Sequence, residues 1–145
     1  MIKNIKAIFF DIDGTLVPFG THNIPDEVKD CIRIAREKGI KVFISTGRHI
    51  SWIDNLGDTE FDGYVTANGA MCLLQDKKSC IFKRCINKKD IDKLIPYSID
   101  SQIKFAVVPY DGNIFITGEN KELLKTAQIP VSYTHLRAHE TVLDL

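Results

Sequence analysis

The feature that most constrains the fold is a short apolar run that ends at two carboxylates. The run Ala7–Phe10 leads directly into Asp11-Ile12-Asp13-Gly14. Four apolar residues bounded by turn residues are typical of a buried strand. Side chains two apart in an extended chain point to the same side, so this strand would place Asp11 and Asp13 in one small volume at its carboxyl end. Open α/β sheets bind their ligands at that edge.

Two carboxylates this close repel each other unless one is protonated or a cation lies between them. Both are hard oxygen ligands, which favours Mg²⁺ as the cation. One carboxylate could attack a phosphorus atom to give an aspartyl phosphate, and the other could move protons to and from the leaving and attacking oxygens. The alternative is a strand followed by an ordinary Asp-Gly turn with solvated acids, and a lone D-x-D-G leaves both interpretations open.

The longer string Asp11-Ile12-Asp13-Gly14-Thr15-Leu16 resembles the first motif of the haloacid dehalogenase (HAD) superfamily of phosphatases. The resemblance implies that Asp11 is the nucleophile and that Asp13 is the general acid/base. It also implies Mg²⁺ as the cofactor, ligated by the carboxylate of Asp11 and the backbone carbonyl of Asp13.

A second group of polar residues, Thr46-Gly47-Arg48, follows the predicted strand Lys41–Ser45. A hydroxyl, free backbone N–H groups and a guanidinium at a strand-to-helix junction suit a phosphate. In this position the tripeptide resembles the second motif of the superfamily, in which Thr46 would hydrogen-bond the transferring phosphoryl group. Arg48 would either bind substrate or hold the loop in place.

The segments around these motifs predict a strand, a helix and a strand joined by short connections. Pro25 opens the helix and Gly39 ends it, as their positional preferences favour. Such a unit implies a parallel strand pair with a right-handed crossover. A third strand over residues 63–66 precedes Asn68. In Cof-type sugar-phosphate phosphatases an Asn-Gly-Ala here lines the site, so Asn68 would contact substrate or phosphate, although Asn-Gly equally favours a tight turn.

The chain after the third strand predicts a β-rich block. Residues 71–74 and 80–84 form a predicted hairpin, and Asn87 caps a predicted helix. The block resembles the start of a C2-type cap, which in the superfamily lies over the site and selects the leaving group. We therefore expect residues 1–84 to form the first half of a HAD-like core, residues 85–129 to begin the cap, and residues 130–145 to be a non-native tail.

Two further motifs of the superfamily have no match: a lysine, and a late acidic pair that completes the Mg²⁺ site. In C2-capped members both follow the cap. We therefore expect an N-terminal fragment that is inactive as written. A partial core would also leave apolar sheet surface and a bare strand edge exposed.

The composition argues against several other classes of protein. Nineteen basic and nineteen acidic residues balance in 145, which gives no electrostatic footprint for nucleic acid or an anionic membrane. No apolar segment is long enough to span a bilayer, and no signal-peptide pattern is present, so a cytoplasmic location is expected. The four cysteines lack C-x-x-C spacing and are expected to be reduced thiols.

The predicted fold class is α/β: a partial, Rossmann-like parallel sheet followed by the start of an α+β cap. The predicted function is a Mg²⁺-dependent phosphatase of small phosphorylated metabolites, by resemblance sugar phosphates, acting through an aspartyl phosphate. Two alternatives stay open: a phosphomutase of the same superfamily, and a catalytically dead fragment that at most binds phosphate. The sequence gives neither the specific substrate nor the oligomeric state.

Overall fold

The computed structural model describes residues 5–101, 106–108, 114–116 and 133–135. The chain divides into two compact units, Met1–Cys85 and Ile86–Leu145. In the part of the chain that is described, no helix has the length and apolar character that a membrane span requires.

The first unit is a five-stranded sheet with one long helix and two short 3₁₀ turns, which confirms the predicted α/β class. Its strands, in their order across the sheet, are β1 (Ala7–Phe10), β2 (Lys41–Ser45), β3 (Gly63–Thr66), β4 (Met71–Leu74) and β5 (Cys80–Lys83). Helix α1 (Asp26–Glu37) connects β1 to β2. The 3₁₀ turns are Ile50–Trp52 and Ala67–Gly69.

The strand directions bring the polar motifs to one edge of the sheet. Strands β1, β2 and β3 are parallel, with Phe10 paired to Ile44 and Ile44 paired to Tyr64. Strands β4 and β5 are antiparallel and form the predicted hairpin. Because parallel strands end at the same edge, the residues that follow β1, β2 and β3 lie beside one another.

Helix α1 begins directly after Pro25, whose fixed φ suits the start of a helix. Asp26 and Glu27 occupy its first turn, where the helix dipole favours negative charge. Its apolar stripe includes buried Ile32 and packs on one face of the sheet, next to buried Val42 and Ile44 of β2. The same cluster includes side chains of the loops after β1 and before β3, among them Ile12, Leu16 and Phe61.

The prediction that β1 is a buried strand is wrong. The pattern predicts a buried strand, yet the residues of β1 are alternately exposed and half-buried. Phe9 is 57% exposed and stacks on Phe43 with 4.8 Å between ring centroids. Among the described strands β1 pairs only with β2 and lies at the edge of the sheet. This is the bare edge and apolar surface expected of a partial core.

The second unit contains a helix and a small sheet. Helix α2 (Lys88–Ser101) is capped by Asn87 as predicted, because the Asp90 N–H donates to Asn87 Oδ1 at 3.0 Å. The sheet consists of β6 (Ala106–Val107), β7 (Ile114–Ile116) and β8 (Tyr133–His135). Strands β6 and β7 are antiparallel, and β8 pairs parallel to β7. Strand β8 belongs to the segment predicted as a tail.

Candidate active site

The two carboxylates of the first motif lie at the carboxyl edge of the sheet, directly after β1. Asp11 and Asp13 are exposed, whereas Ile12 between them is fully buried. This alternation continues the pattern of the strand, so both carboxylates face away from the core on one side. Residues 11–17 are called the acid loop below.

Backbone hydrogen bonds fold the acid loop back on itself. The Val17 N–H donates to the Ile12 carbonyl, and the Gly14 N–H donates to the Val17 carbonyl, both at 2.9 Å. Leu16 and Val17 are buried and anchor the loop to the core. Gly14 has a φ of +76°, a conformation that glycine adopts without strain. The buried side chains of the acid loop therefore fix the positions of Asp11 and Asp13.

Arg48 fixes the Asp13 carboxylate with two hydrogen bonds. Its Nη2 donates to Oδ1 at 2.7 Å and its Nε donates to Oδ2 at 2.9 Å, a bidentate geometry that sets the orientation of a carboxylate. The third guanidinium nitrogen, Nη1, donates to the backbone carbonyl of Trp52 at 3.1 Å. Arg48 thus ties down the loop, which is one of its two predicted roles. Its contact with substrate stays a prediction.

Residues 46–48, called the β2 loop below, place a hydroxyl and a glycine beside this ion pair. Thr46 is buried, and its Oγ1 accepts a hydrogen bond from the Arg48 N–H at 3.2 Å. The hydroxyl keeps its own proton to donate. A Cβ at Gly47 would lie 3.0 Å from Oδ1 of Asn68. A glycine at this position therefore allows the side chain of Asn68 to approach the β2 loop closely.

Asn68 lies in the turn between β3 and β4 and contacts the β2 loop. Its φ of 54° and ψ of 37° are left-handed, which asparagine tolerates better than most residues. Its N–H donates to the Thr46 carbonyl at 3.3 Å, and the neighbouring Ala67 N–H donates to the Arg48 carbonyl at 2.8 Å. The tight-turn interpretation is confirmed. The predicted contact of Asn68 with phosphate stays a prediction.

The structure thus brings the predicted site residues to one edge of the sheet. Asp13 and Arg48 touch directly, and Asn68 hydrogen-bonds to Thr46. Asp11 lies at the same edge, because it directly follows Phe10, which pairs with Ile44 of β2.

Sequence reasoning missed two contributors to this edge. Trp52 holds Arg48 through a backbone carbonyl, and no side-chain pattern could have indicated that contact. The ring of Phe19 lies against Gly14. The turn residues around Phe19 were a usable signal for its position, but not for its contact.

The oxygen donors at this edge fit part of a Mg²⁺ site. The Asp11 carboxylate is exposed. Arg48 already engages the Asp13 carboxylate, so the backbone carbonyl is the oxygen that Asp13 can offer. Among the described residues, no three or more His, Cys, Asp or Glu side chains are close enough to hold a metal ion together. Since Mg²⁺ keeps several waters and binds phosphate oxygens, these donors suit it without a full protein cage.

A model of the “haloacid dehalogenase-like hydrolase” family matches residues 8–142 of the chain. The match begins within β1 and includes the acid loop, the β2 loop and Asn68. Both loops that form the candidate site are therefore inside the matched region.

Solved structures that share this fold include two phosphatases. A sugar phosphatase of HAD subclass IIB superposes with a TM-score of 0.76 and 32% identity over 90% of this chain. A HAD phosphatase from Bacteroides thetaiotaomicron superposes with a TM-score of 0.77 and 29% identity over 88% of it. This chain covers 52% of the first structure and 48% of the second.

A curated relative gives the same picture at the level of sequence. The Bacillus subtilis protein named “Putative phosphatase YxeH” is 30% identical over 117 residues, which is 77% of this chain and 42% of that protein. The chain therefore spans about half the length of the relatives it matches.

Proposed function

Because the chain belongs to the haloacid dehalogenase-like hydrolases, we propose that its acid loop and β2 loop form part of the active site of a Mg²⁺-dependent phosphatase. The substrates would be small phosphorylated metabolites, and the sugar phosphatase among the structural relatives favours sugar phosphates. The observation that carries the proposal is the pair of exposed carboxylates, Asp11 and Asp13, directly after a parallel strand. Such substrates are charged small molecules, and we expect the protein to act on them in the cytoplasm.

In the first proposed step, a carboxylate oxygen of Asp11 attacks the phosphorus of a phosphate monoester. A P–O bond forms to Asp11, and the P–O bond to the alcohol breaks. Asp13, as a carboxylic acid, gives its proton to the departing alcohol oxygen. The products are an aspartyl phosphate and the free alcohol.

In the second proposed step, the Asp13 carboxylate takes a proton from a water molecule while the water oxygen attacks the phosphorus. The bond from phosphorus to Asp11 breaks, which releases inorganic phosphate. Asp11 is again a carboxylate and Asp13 is again protonated, so the cycle closes with no other reactant.

The neighbouring residues would position the phosphoryl group and the acid. The hydroxyl of Thr46, the backbone N–H of Gly47 and the amide of Asn68 would donate to the phosphoryl oxygens. Arg48 holds both oxygens of the Asp13 carboxylate. When Asp13 is protonated, one oxygen would carry the proton and the other would still accept from Arg48, which would orient the proton transfer. Mg²⁺, held by the Asp11 carboxylate and the Asp13 carbonyl, would supply neutralisation of the charge on the phosphate.

A labelling experiment tests the nucleophile. The 145-residue chain is incubated with an aryl phosphate and Mg²⁺, quenched in acid and digested for mass spectrometry. We expect one phosphoryl group on the peptide that carries Asp11, and none in Asp11→Asn. Asp26→Asn removes an exposed carboxylate of α1 and should be labelled as the unchanged chain is. Labelling that survives in Asp11→Asn would rule out Asp11 as the nucleophile.

Release of product separates the remaining alternatives. A phosphatase releases inorganic phosphate, and chelation of Mg²⁺ should abolish that release. A phosphomutase instead gives an isomeric phosphate ester. We expect little or no turnover from the 145-residue chain, because the described carboxylates supply only part of a Mg²⁺ shell. We expect faster turnover from any longer version that the same reading frame encodes. Rapid turnover by the 145-residue chain would contradict the need for further residues.

A further inference from the structure

Phe19 is the most exposed of the large apolar side chains in the described ranges, at 87%. A single exposed apolar residue is ordinary on a protein surface, so exposure alone carries no argument. Phe19 is distinguished by its position, since it follows the acid loop by two residues and is held by two separate sets of contacts.

A closed turn over residues 18–21 holds the backbone of Phe19. Both the N–H and the hydroxyl of Thr21 donate to the Pro18 carbonyl, at 3.1 Å and 2.8 Å. Gly20, the third residue of the turn, has a φ of +81°, as a type II turn requires at that position. Phe19 is therefore the corner residue of a hydrogen-bonded turn.

The ring of Phe19 lies against the backbone of the acid loop. A Cβ at Gly14 would lie only 2.6 Å from both Cε2 and Cζ of the ring, far inside van der Waals contact. These are atoms at the outer part of the ring, so the side chain reaches across to Gly14, the residue after Asp13. Gly14 thus serves the loop twice, through its positive φ and through the space that its missing side chain leaves for the ring.

We propose that Phe19 is a specificity-determining residue, whose ring packs on the apolar C–H face of a ring in the leaving alcohol. The inference rests on the proposed function, because a phosphate bound at Asp11 is what brings the alcohol beside the acid loop. The contact with Gly14 occupies little of the ring, and most of its surface remains open to solvent. An aromatic ring gains from covering C–H groups, whereas the phosphate itself gains nothing from this contact.

The test compares three ligands on the 145-residue chain in Mg²⁺: inorganic phosphate, glycerol 3-phosphate and glucose 6-phosphate. Amide shifts of Gly47 and Asn68 in NMR titrations report binding at the site itself. We expect glucose 6-phosphate to bind more tightly than glycerol 3-phosphate. In Phe19→Ala its affinity should fall roughly fivefold, with inorganic phosphate within about twofold of the unchanged chain.

Phe82→Ala is the matched control, because Phe82 is another exposed phenylalanine, at 49%, on β5. It should leave all three affinities unchanged. The far-ultraviolet circular dichroism of both variants should match that of the unchanged chain, since neither side chain is buried.

Each other outcome overturns the inference in a distinguishable way. If Phe19→Ala keeps the affinity for glucose 6-phosphate, or weakens all three ligands equally, Phe19 does not select the leaving group. If the unchanged chain binds phosphate without preferring the ring-bearing ester, the inference fails and the proposed function stands. If the unchanged chain binds none of the three, the proposed function fails, and the role of Phe19 falls with it.

Discussion

The sheet of the first unit carries an acid–arginine cluster at each end of its parallel strands, and the two clusters differ in how their carboxylates are used. At the amino end, Asp62 accepts hydrogen bonds from the Val42 N–H and Lys41 Nζ, both at 2.9 Å, and from Arg36 Nε at 3.3 Å. At the carboxyl end, Asp13 is held by Arg48 alone among the described residues. The side chain of Asp62 is 12% exposed, and that of Asp13 is 47% exposed.

The electrostatics of Asp62 follow from this difference. Burial alone would raise its pKa, but the Val42 N–H and the charges of Lys41 and Arg36 together hold the pKa below the ordinary value of 3.8. A carboxylate whose oxygens are filled by the fold stabilises the fold. The Asp13 carboxylate also has both oxygens engaged, but by the single side chain of Arg48 and at an exposed position, so a substrate can still approach it. This contrast predicts which acids matter for stability and which for chemistry.

The largest expected effect is on chemistry at the carboxyl end. Asp11→Asn should lower the rate of phosphoryl transfer at least about a thousandfold, because it removes the nucleophile. Its free energy of unfolding should stay within about 0.5 kcal/mol, because the exposed side chain does not support the core. Labelling kinetics and urea unfolding measure the two quantities. A large loss of stability in this variant would contradict the contrast between the two ends of the sheet.

The next effect is on stability at the amino end. Asp62→Asn should destabilise the chain by about 2 kcal/mol, because it weakens a half-buried network that includes a backbone N–H. Affinity for inorganic phosphate should not change. Asp30→Asn, which removes an exposed partner of Arg33, should cost almost nothing. Equal unfolding midpoints for the Asp62 and Asp30 variants would show that the cluster has no structural role.

Arg48→Lys separates the two predicted roles of Arg48. Lysine keeps the charge but cannot make the bidentate contact with Asp13. We expect the labelling rate at saturating substrate to fall about tenfold, with the affinity for inorganic phosphate nearly unchanged, because proton transfer loses its orientation. The reverse result, weaker phosphate binding at an unchanged maximal rate, would assign Arg48 to the substrate instead.

The smallest expected effect on stability concerns Asp76. Its side chain is exposed, as that of Asp13 is, but its carboxylate accepts several hydrogen bonds, as that of Asp62 does. Its oxygens accept hydrogen bonds from the Ser79 hydroxyl and from the N–H groups of Ser79 and Lys78, which lower its pKa to about 2. The pKa of Asp76 is lower in the folded chain than its ordinary value. Any stability that this carboxylate contributes is therefore fully present above pH 3.8 and is lost as the pH falls towards 2.

An NMR titration of the Asp76 side chain should therefore show a midpoint near 2. Asp76→Asn should change stability only slightly at neutral pH, because the turn is exposed. A midpoint at the ordinary value would show that exposure, and not the number of donors, separates the acids of this protein.

Much of the fold follows from local pattern. The predicted strand over residues 41–45 has the same bounds as β2, and residues 63–66 and 71–74 are β3 and β4. Each is a short apolar segment bounded by turn residues, and the helix before β2 carries its own start and stop signals. The exposure of β1 was the local error, because a fully apolar run does not indicate whether a strand is central or at an edge.

The candidate site divides in the same way. The residue types and spacing of Asp11, Asp13 and Thr46 leave both a phosphate site and solvated turns open. The resemblance of the two motifs to the superfamily is what favours phosphate chemistry. The bidentate contact between Asp13 and Arg48 joins residues 35 positions apart. Its geometry depends on the register of β1 against β2 and on the position of the segment that contains Trp52.

The sequence by itself determined the strands and the helix, because these follow from short-range backbone preference. The family and the candidate catalytic acids come from the resemblance of residues 11–16 to a known motif. Only the tertiary structure decided that Arg48 hydrogen-bonds Asp13 and that Asp62 accepts hydrogen bonds at the other end of the sheet. It also decided that the ring of Phe19 lies against Gly14. Those contacts join residues that are brought together by strand register and loop packing, and such distances are set by the fold as a whole.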